Sequence, residues 1–91
     1  MDGAKYLNGT TSQAVVTGNG KIYGIIVNSN TSGTFKLWDN TAGSGTVICN
    51  TYTVGSGSSV IKFPQPIEFY TGLYITVGGT LDYTLVYRTS N

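Results

Sequence analysis

The sequence contains no histidine, one cysteine and few charges: its 91 residues include five Lys or Arg and four Asp or Glu, for a net charge of +1. The missing histidines remove the commonest general base and the commonest transition-metal ligand. A single thiol, Cys49, cannot build a zinc site or an intrachain disulfide, and no histidine is present to activate it as a nucleophile. The sequence therefore predicts a protein that is not an enzyme and that uses no metal and no cofactor.

A basic surface and a long apolar stretch are also missing. The five cationic residues are scattered along the chain, which argues against nucleic acid as a partner. The longest apolar run, residues 25–27, is far shorter than the roughly 20 residues of a membrane span. No apolar stretch follows the first residues, so a secretion signal is not predicted. We expect a protein that is made in the cytoplasm and that has no membrane partner.

Short runs of β-branched and aromatic residues recur about every ten residues between Gly, Asn, Ser and Thr, and this spacing is typical of strands and turns. The predicted strands span residues 13–17, 21–28, 33–39, 46–53, 59–63, 66–70, 73–77 and 81–88. The predicted fold is all-β, a single-domain antiparallel β-sandwich or jelly-roll-like domain with about eight short strands. Residues 18–20 and 78–79 predict tight hairpin turns, and Pro64 and Pro66 predict a kinked sheet edge. Residues 1–11 are interpreted as an N-terminal arm and residues 12–91 as the β-sandwich domain.

Alternation along the strands assigns side chains to faces. The run from residue 22 to residue 27 is apolar at nearly every position, which predicts a central strand covered on both faces. Nine side chains are predicted to be buried: Phe35, Leu37, Ile67, Phe69, Leu73, Ile75, Val77, Leu81 and Leu85. Large aromatic residues at outward positions are typical of contacts with another chain or a sugar. The candidate interface residues are Tyr6 and Leu7 in the arm and Trp38, Tyr70 and Tyr74 in the strands.

One loop offers oxygen atoms to a cation. Asp39, Asn40 and Thr41 precede Gly43, and such a loop fits either a calcium site or a turn held by side-chain hydrogen bonds. A calcium site normally uses several carboxylates, so we favour the turn.

Several segments follow one another as in a recurrent group of phage proteins: residues 24–28, residues 33–41 with Leu37-Trp38-Asp39-Asn40-Thr41, residues 44–48, residues 69–77 with Gly72-Leu73, and residues 81–88. Over residues 20–88 the chain resembles the small bacteriophage virion β-sandwich proteins of the capsid cement or decoration type. This resemblance implies a bacteriophage structural protein that lies on the outer capsid surface of the virion after synthesis in the host cytoplasm. It implies the major capsid protein as partner and a homo-oligomer, for which we expect a trimer. A phage tail or fibre component, or a carbohydrate-binding module that recognises host polysaccharide, remains the alternative.

Overall fold

Six antiparallel strands form one sheet in the computed structural model, which describes residues 4–55 and 57–89. No helix occurs in that part of the chain, so the predicted all-β antiparallel class is confirmed. The strands are β1 (Lys5–Gly9), β2 (Gln13–Thr17), β3 (Gly20–Asp39), β4 (Thr46–Thr53), β5 (Ser59–Phe69) and β6 (Gly72–Thr89).

The two long strands, β3 and β6, lie in the centre of the sheet and pair with each other along nearly their whole length. Strands β1 and β2 share the other edge of β6, whereas β5 and β4 share the other edge of β3. We call the part built from β1, β5, residues 20–30 and residues 81–89 the first half of the sheet. The second half consists of β2, β4, residues 34–39 and residues 72–78.

The two halves meet at a row of irregularities. This row crosses the sheet at each of its four positions, which are occupied by β1 and β2, by β6, by β3, and by β4 and β5. In β3 the register shifts between Thr31 and Thr34, and Ser32 has a φ of 53°. In β6, Gly79 has a φ of 67°, a left-handed conformation that glycine adopts without strain. The gaps between β1 and β2 and between β4 and β5 fall in the same row. Ser32 and Gly79 therefore bend β3 and β6 next to each other, at the boundary between the two halves.

The sheet has six strands where eight were predicted, because three predicted pairs are each one continuous strand and because β1 was not among the predicted strands. The predicted pairs 21–28 with 33–39, 59–63 with 66–70, and 73–77 with 81–88 are the two ends of β3, β5 and β6. The hairpin predicted at residues 78–79 is wrong, because β6 runs through Gly79 without reversing. The turn at residues 18–20 does not join a paired hairpin either, since β2 pairs with β6 rather than with β3. Glycine in a strand pattern indicates a departure from regular strand geometry. It does not distinguish a bend within one strand from a turn between two strands.

The first strand lies inside the segment interpreted as an arm. Residues 5–9 pair with residues 83–87 of β6 in regular antiparallel register. Pairing of the backbone carries this strand, because only Tyr6 and Leu7 in it are sizeable apolar residues. The alternation of apolar and polar residues that predicts the other strands is therefore nearly missing from β1. Residues 5–9 are part of the sheet rather than of a separate arm, and residues 1–3 lie outside the described part of the chain.

One hydrophobic cluster draws side chains from both halves of the sheet. Seven of the nine side chains predicted to be buried are buried, and Ile67 and Val77 are half-buried against the cluster. The prediction that residues 22–27 are covered on both faces is wrong. The register shifts between Ile22 and Gly24, so Ile25 and Val27 point to the core while Ile26 points outward, 36% exposed. The buried hydrophobic side chains are Val16, Ile22, Ile25, Val27, Phe35, Leu37, Val54, Phe69, Leu73, Ile75, Leu81, Tyr83 and Leu85.

Candidate functional site

The predicted interface residues lie in three separate places. Trp38 and Tyr74 are direct cross-strand partners in the second half of the sheet, on the face away from the core. Tyr6 lies on the outward face of the first half and is 75% exposed. Tyr70 lies between β5 and β6 at the end of the sheet and is 70% exposed. The structure therefore brings together only one pair of the predicted aromatic residues.

Leu7 does not share the outward face with Tyr6. It pairs with Leu85, which is fully buried, and directly opposed residues of an antiparallel pair point to the same side. Leu7 thus belongs to the core side of the edge strand. The sequence interpretation placed both residues on a free arm, where neither would have had a fixed side.

We call Lys36, Trp38, Val47, Tyr74 and Thr76 the Trp38 surface. Trp38 lies between its register partners Tyr74 on β6 and Val47 on β4. Its indole Nε1 donates a hydrogen bond of 2.9 Å to Oγ1 of Thr76, and the Lys36 ammonium lies 4.2 Å from the ring centroid. A cation at that distance is attracted by the electron-rich face of the indole. These contacts hold the ring in one orientation on a rigid sheet.

The loop after β3 covers one side of this surface. A Cβ atom on Gly43 would lie 3.2 Å from Cε1 of Tyr74, so the loop backbone lies directly against the tyrosine ring. Asn40 holds the loop: its Nδ2 donates to the Ser44 carbonyl at 2.6 Å, and its Oδ1 accepts from the Thr41 N–H at 2.8 Å. The favoured interpretation of this segment as a hydrogen-bonded turn is confirmed. Tyr74 is therefore half-buried rather than freely exposed.

Asp39 joins the Trp38 surface to the connection that carries Tyr70. Its carboxylate accepts backbone N–H bonds from Tyr70 at 2.9 Å, Thr71 at 2.8 Å and Gly72 at 3.4 Å. A carboxylate is suited to this task because it has about four acceptor positions and binds donors more strongly than a neutral oxygen. Asp39 thereby fixes the backbone of Tyr70 relative to Trp38, its own neighbour in the chain. Trp38 and the aspartate that holds the neighbouring connection thus come from the same short sequence motif.

A second surface was missed by the sequence analysis. We call Tyr6, Gly24, Ile26, Val60 and Val86, all on the outward face of the first half, the Gly24 surface. Val60 is 69% exposed and pairs with Ile26, while Val86 pairs with both Tyr6 and Gly24. Gly24 contributes no side chain, and its position forms the floor of a shallow apolar depression of about 210 Å³.

The signal that would have revealed this surface is the glycine itself. An isolated glycine inside an apolar strand indicates a bulge or a close approach of another backbone segment, and both occur at Gly24. The register shifts beside it, and a Cβ atom there would lie 2.6 Å from the Ile61 carbonyl oxygen. The resulting change of phase turns Ile26 outward. Strict alternation through residues 22–27 could not predict that exposure.

A polar network borders the Gly24 surface. The Asn8 side chain on β1 and the Asn28 side chain on β3 both donate to Oδ1 of Asp82, at 3.0 and 3.2 Å. Both amides also donate to the Thr84 hydroxyl oxygen at 3.1 Å. The network spans three adjacent strands and fixes the position of a carboxylate beside the apolar side chains of the Gly24 surface.

The described residues contain little that supports catalysis. Cys49 is a free thiol on β4 that donates to the Asn50 carbonyl at 3.4 Å, and burial raises its pKa, which disfavours the reactive thiolate. Within residues 4–55 and 57–89, no cluster of three or more His, Cys, Asp or Glu residues forms a metal-binding group. The same residues include no helix with the length and apolar character needed to cross a membrane.

No protein-family model, curated protein or solved structure matches this chain.

Proposed function

We propose that this protein is a bacteriophage structural protein that binds the outer capsid shell as a homo-oligomer and stabilises it, as capsid cement or decoration proteins do. The proposal starts from the sequence resemblance over residues 20–88. Its partner would be the major capsid protein, and its location the outer surface of the virion. The trimer expected from the resemblance remains a prediction.

The Trp38 surface is the observation that carries this proposal. Trp and Tyr are enriched at the positions that dominate protein–protein binding, because they bring a large contact area at low cost in conformational entropy. Here Trp38 and Tyr74 are adjacent, and contacts with Lys36, Thr76 and the loop at Gly43 restrain them before any partner arrives. A restrained aromatic surface loses little freedom on binding. That property suits a protein that must bind many equivalent sites on a shell.

We also infer that the two halves of the sheet pack against each other as the layers of a β-sandwich. Residues of both halves belong to one core, and side chains such as Ile22 and Leu37 are 0% exposed. A sheet face becomes inaccessible only when a second layer covers it. With no helix among the described residues, the opposite half of the sheet is the element that can provide this cover. The bends in β3 and β6 would allow each strand to contribute to both layers.

The alternative, a tail component or a carbohydrate-binding module, needs an aromatic ring whose face is open to a sugar. Lys36 already lies over the Trp38 ring, the indole N–H is already used, and Gly43 lies against Tyr74. Tyr6 and Tyr70 are open but lie apart from each other, one on the first half of the sheet and one at the end of the sheet. The geometry therefore favours contact with a protein over stacking on a sugar.

Binding to shells tests the proposal directly. Purified protein is mixed with empty shells of the phage that encodes it, prepared without this protein, and bound protein is measured by co-sedimentation. We expect saturable binding at a fixed number of copies per shell. Trp38→Ala should weaken binding at least thirtyfold, the effect of losing about 2 kcal/mol at a central aromatic contact.

Tyr52→Ala is the matched control, because Tyr52 is an exposed tyrosine of β4 outside the Trp38 surface. It should bind shells normally, although loss of its stacking on Phe35 lowers stability. Binding should change little between low and high salt, since the chain has only five cationic and four anionic residues. Normal shell binding by Trp38→Ala would place the contact on another surface. Binding to host polysaccharide without binding to shells would establish the alternative.

A further inference from the structure

Three of the four edge strands, β2, β4 and β5, are poorly suited to binding another chain by strand addition. The edge strand β5 carries Pro64 and Pro66, which lack the N–H donor that a new strand would need. The register of β4 against β3 shifts twice, and that of β2 against β6 shifts once. Such bulges twist an edge away from regular pairing. Contacts with other chains are therefore expected on the faces of the sheet.

The Gly24 surface has a symmetry that its register makes explicit. One row of core-facing residues crosses the first half of the sheet: Leu7, Leu85, Ile25 and Ile61 are successive direct partners. The outward positions on either side of this row differ in a complementary way. On β3, Gly24 precedes the row and has no side chain, while Ile26 follows the row with a side chain that is 36% exposed and lines the same depression.

The charges on β6 are distributed around the same row. Asp82 lies three residues before Leu85 and Arg88 three residues after it, both on the outward face. At about 3.3 Å per residue, each charge is about 10 Å from the row. Arg88 is on the side of Gly24, and Asp82 is on the side of Ile26. The face thus carries Arg88 and the glycine on one side of the row, and Asp82 and the isoleucine on the other.

We propose that two copies of this chain pair face to face through the Gly24 surface, about a two-fold axis that lies over the row from Leu7 to Ile61. A rotation of 180° about this axis exchanges the two sides of the row. Ile26 of each copy then lies over Gly24 of the other, where no side chain intervenes, and Arg88 of each copy lies opposite Asp82 of the other. Such an isologous contact forms every interaction twice.

Two further cationic positions on the outward face are compatible with this arrangement. Lys62, beside Gly24 on β5, falls opposite the exposed Val60 of the second copy, where the lysine stem can cover apolar surface. Lys21, beside Arg88, falls opposite Ser29, the register partner of Asp82. These placements bring no like charges together. The amides of residues 8 and 28 hold the Asp82 carboxylate at its place, ready for the guanidinium of the second copy.

This inference deepens the proposed homo-oligomer by naming the surface between copies, and it assigns a two-fold contact where the resemblance led us to expect a trimer. It leaves the Trp38 surface of each copy available to the shell. Self-association is measured without shells, so failure of the two-fold contact and failure of shell binding are separate results.

Reversal of single charges followed by mixing tests the contact. Arg88→Glu and Asp82→Arg are each examined by sedimentation equilibrium beside the unmodified chain, which should be a dimer. Either reversal converts both ion pairs into repulsive pairs, and we expect the dimer dissociation constant to rise about tenfold or more.

Mixing the two variants should restore the contact. The unchanged Asp82 of one variant then lies opposite the unchanged Arg88 of the other. The two introduced side chains, a glutamate and an arginine, also lie opposite each other, so both pairs are attractive again. Native mass spectrometry should therefore show the mixed dimer in excess over both self-dimers.

Lys5→Glu is the matched control, since Lys5 is exposed and pairs with Tyr87 on the side of β1 away from the Gly24 surface, so its reversal should leave the dimer unchanged. Val60→Glu, which introduces a charge at an exposed position of the Gly24 surface, should also dissociate the dimer while far-UV circular dichroism stays unchanged. A monomeric or trimeric unmodified protein would overturn the proposal. Charge reversals and Val60→Glu that leave the dimer intact, or a mixture without preference for the mixed dimer, would overturn it as well.

Discussion

Asp39 shows how much one side chain can organise in a chain with few charges. It accepts backbone N–H bonds from three successive residues of the β5–β6 connection, and the two shortest measure 2.8 and 2.9 Å. We predict that Asp39→Ala lowers the free energy of unfolding by about 2 kcal/mol, because hydrogen bonds to a charged acceptor are lost. Urea denaturation measures this change. Asp39→Asn keeps one acceptor oxygen and should lose less; an equal loss in both variants would show that the charge, not the acceptor, is required.

Tyr83 makes stability depend on alkaline pH. Its ring is fully buried, and its hydroxyl donates to the Thr11 carbonyl at 2.7 Å and accepts from Gln13 Nε2 at 3.0 Å. Burial raises its pKa above the usual 10.0. Below pH 10 the phenol is protonated in both the folded and unfolded chain, so its contribution to stability is constant. Above that pH the unfolded chain releases a proton that the folded chain retains, and stability falls.

We therefore predict that the urea midpoint decreases as the pH rises above about 10, and that Tyr83→Phe shows a smaller decrease. At pH 8 the same variant should be less stable by about 1–2 kcal/mol, because the Thr11 carbonyl and the Gln13 amide lose their partner. Comparison of this variant with the unmodified protein removes the effect of the other tyrosines. Parallel pH profiles would contradict the assignment to Tyr83.

Strands β3 and β6 depend on the bend at the boundary between the two halves. Gly79 has a φ of 67°, and a Cβ atom there would overlap the Ser32 carbonyl oxygen of the neighbouring strand. We predict that Gly79→Ala destabilises the protein by about 2 kcal/mol or more, from backbone strain together with this overlap. Thermal unfolding measures the loss. Gly55→Ala is the control, because a Cβ atom at Gly55 meets nothing within 4 Å; it should change stability by less than about 0.5 kcal/mol.

Strand β1 is expected to behave as part of the fold. Deletion of residues 1–11 would expose the edge of β6 and remove the Thr11 carbonyl that binds Tyr83. We predict a clear decrease in melting temperature for this deletion, whereas deletion of residues 1–4 leaves β1 intact and should have little effect. Circular dichroism during heating provides the measurement. Equal melting temperatures for both deletions would restore the interpretation of residues 1–11 as an arm independent of the sheet.

At the scale of the whole molecule, the shared core predicts cooperative unfolding. One hydrophobic cluster includes residues of both halves, such as Leu37 and Leu85, and β3 and β6 run through both. Trp38 fluorescence reports on the second half, while far-UV circular dichroism reports on the entire sheet. We predict that the two signals change together in a urea titration, as expected for a two-state transition. Separate midpoints would mean that the halves unfold independently.

The all-β class and most of the core could be predicted from the amino-acid sequence. These properties depend on local alternation and on which residue types are present, and both can be read along the chain. The buried positions of Phe35, Leu37, Leu81 and Leu85 follow directly from it. Alternation predicted that Trp38 and Tyr74 both point outward. It could not predict that they are direct partners, because alternation assigns a residue to a face but does not identify its neighbours on other strands.

Only the tertiary structure decided which strands are continuous, where β1 pairs and where the Gly24 surface lies. A glycine permits a bend, a bulge or a reversal, and distant partners select among them: Ser32 beside Gly79, and Ile61 beside Gly24. The same holds for Tyr6 and Leu7, which lie on opposite sides of β1 because β6 holds that strand in register. Alternation records the preference of each residue for water or for the core. Register is a property of two strands together, and one strand alone does not contain it.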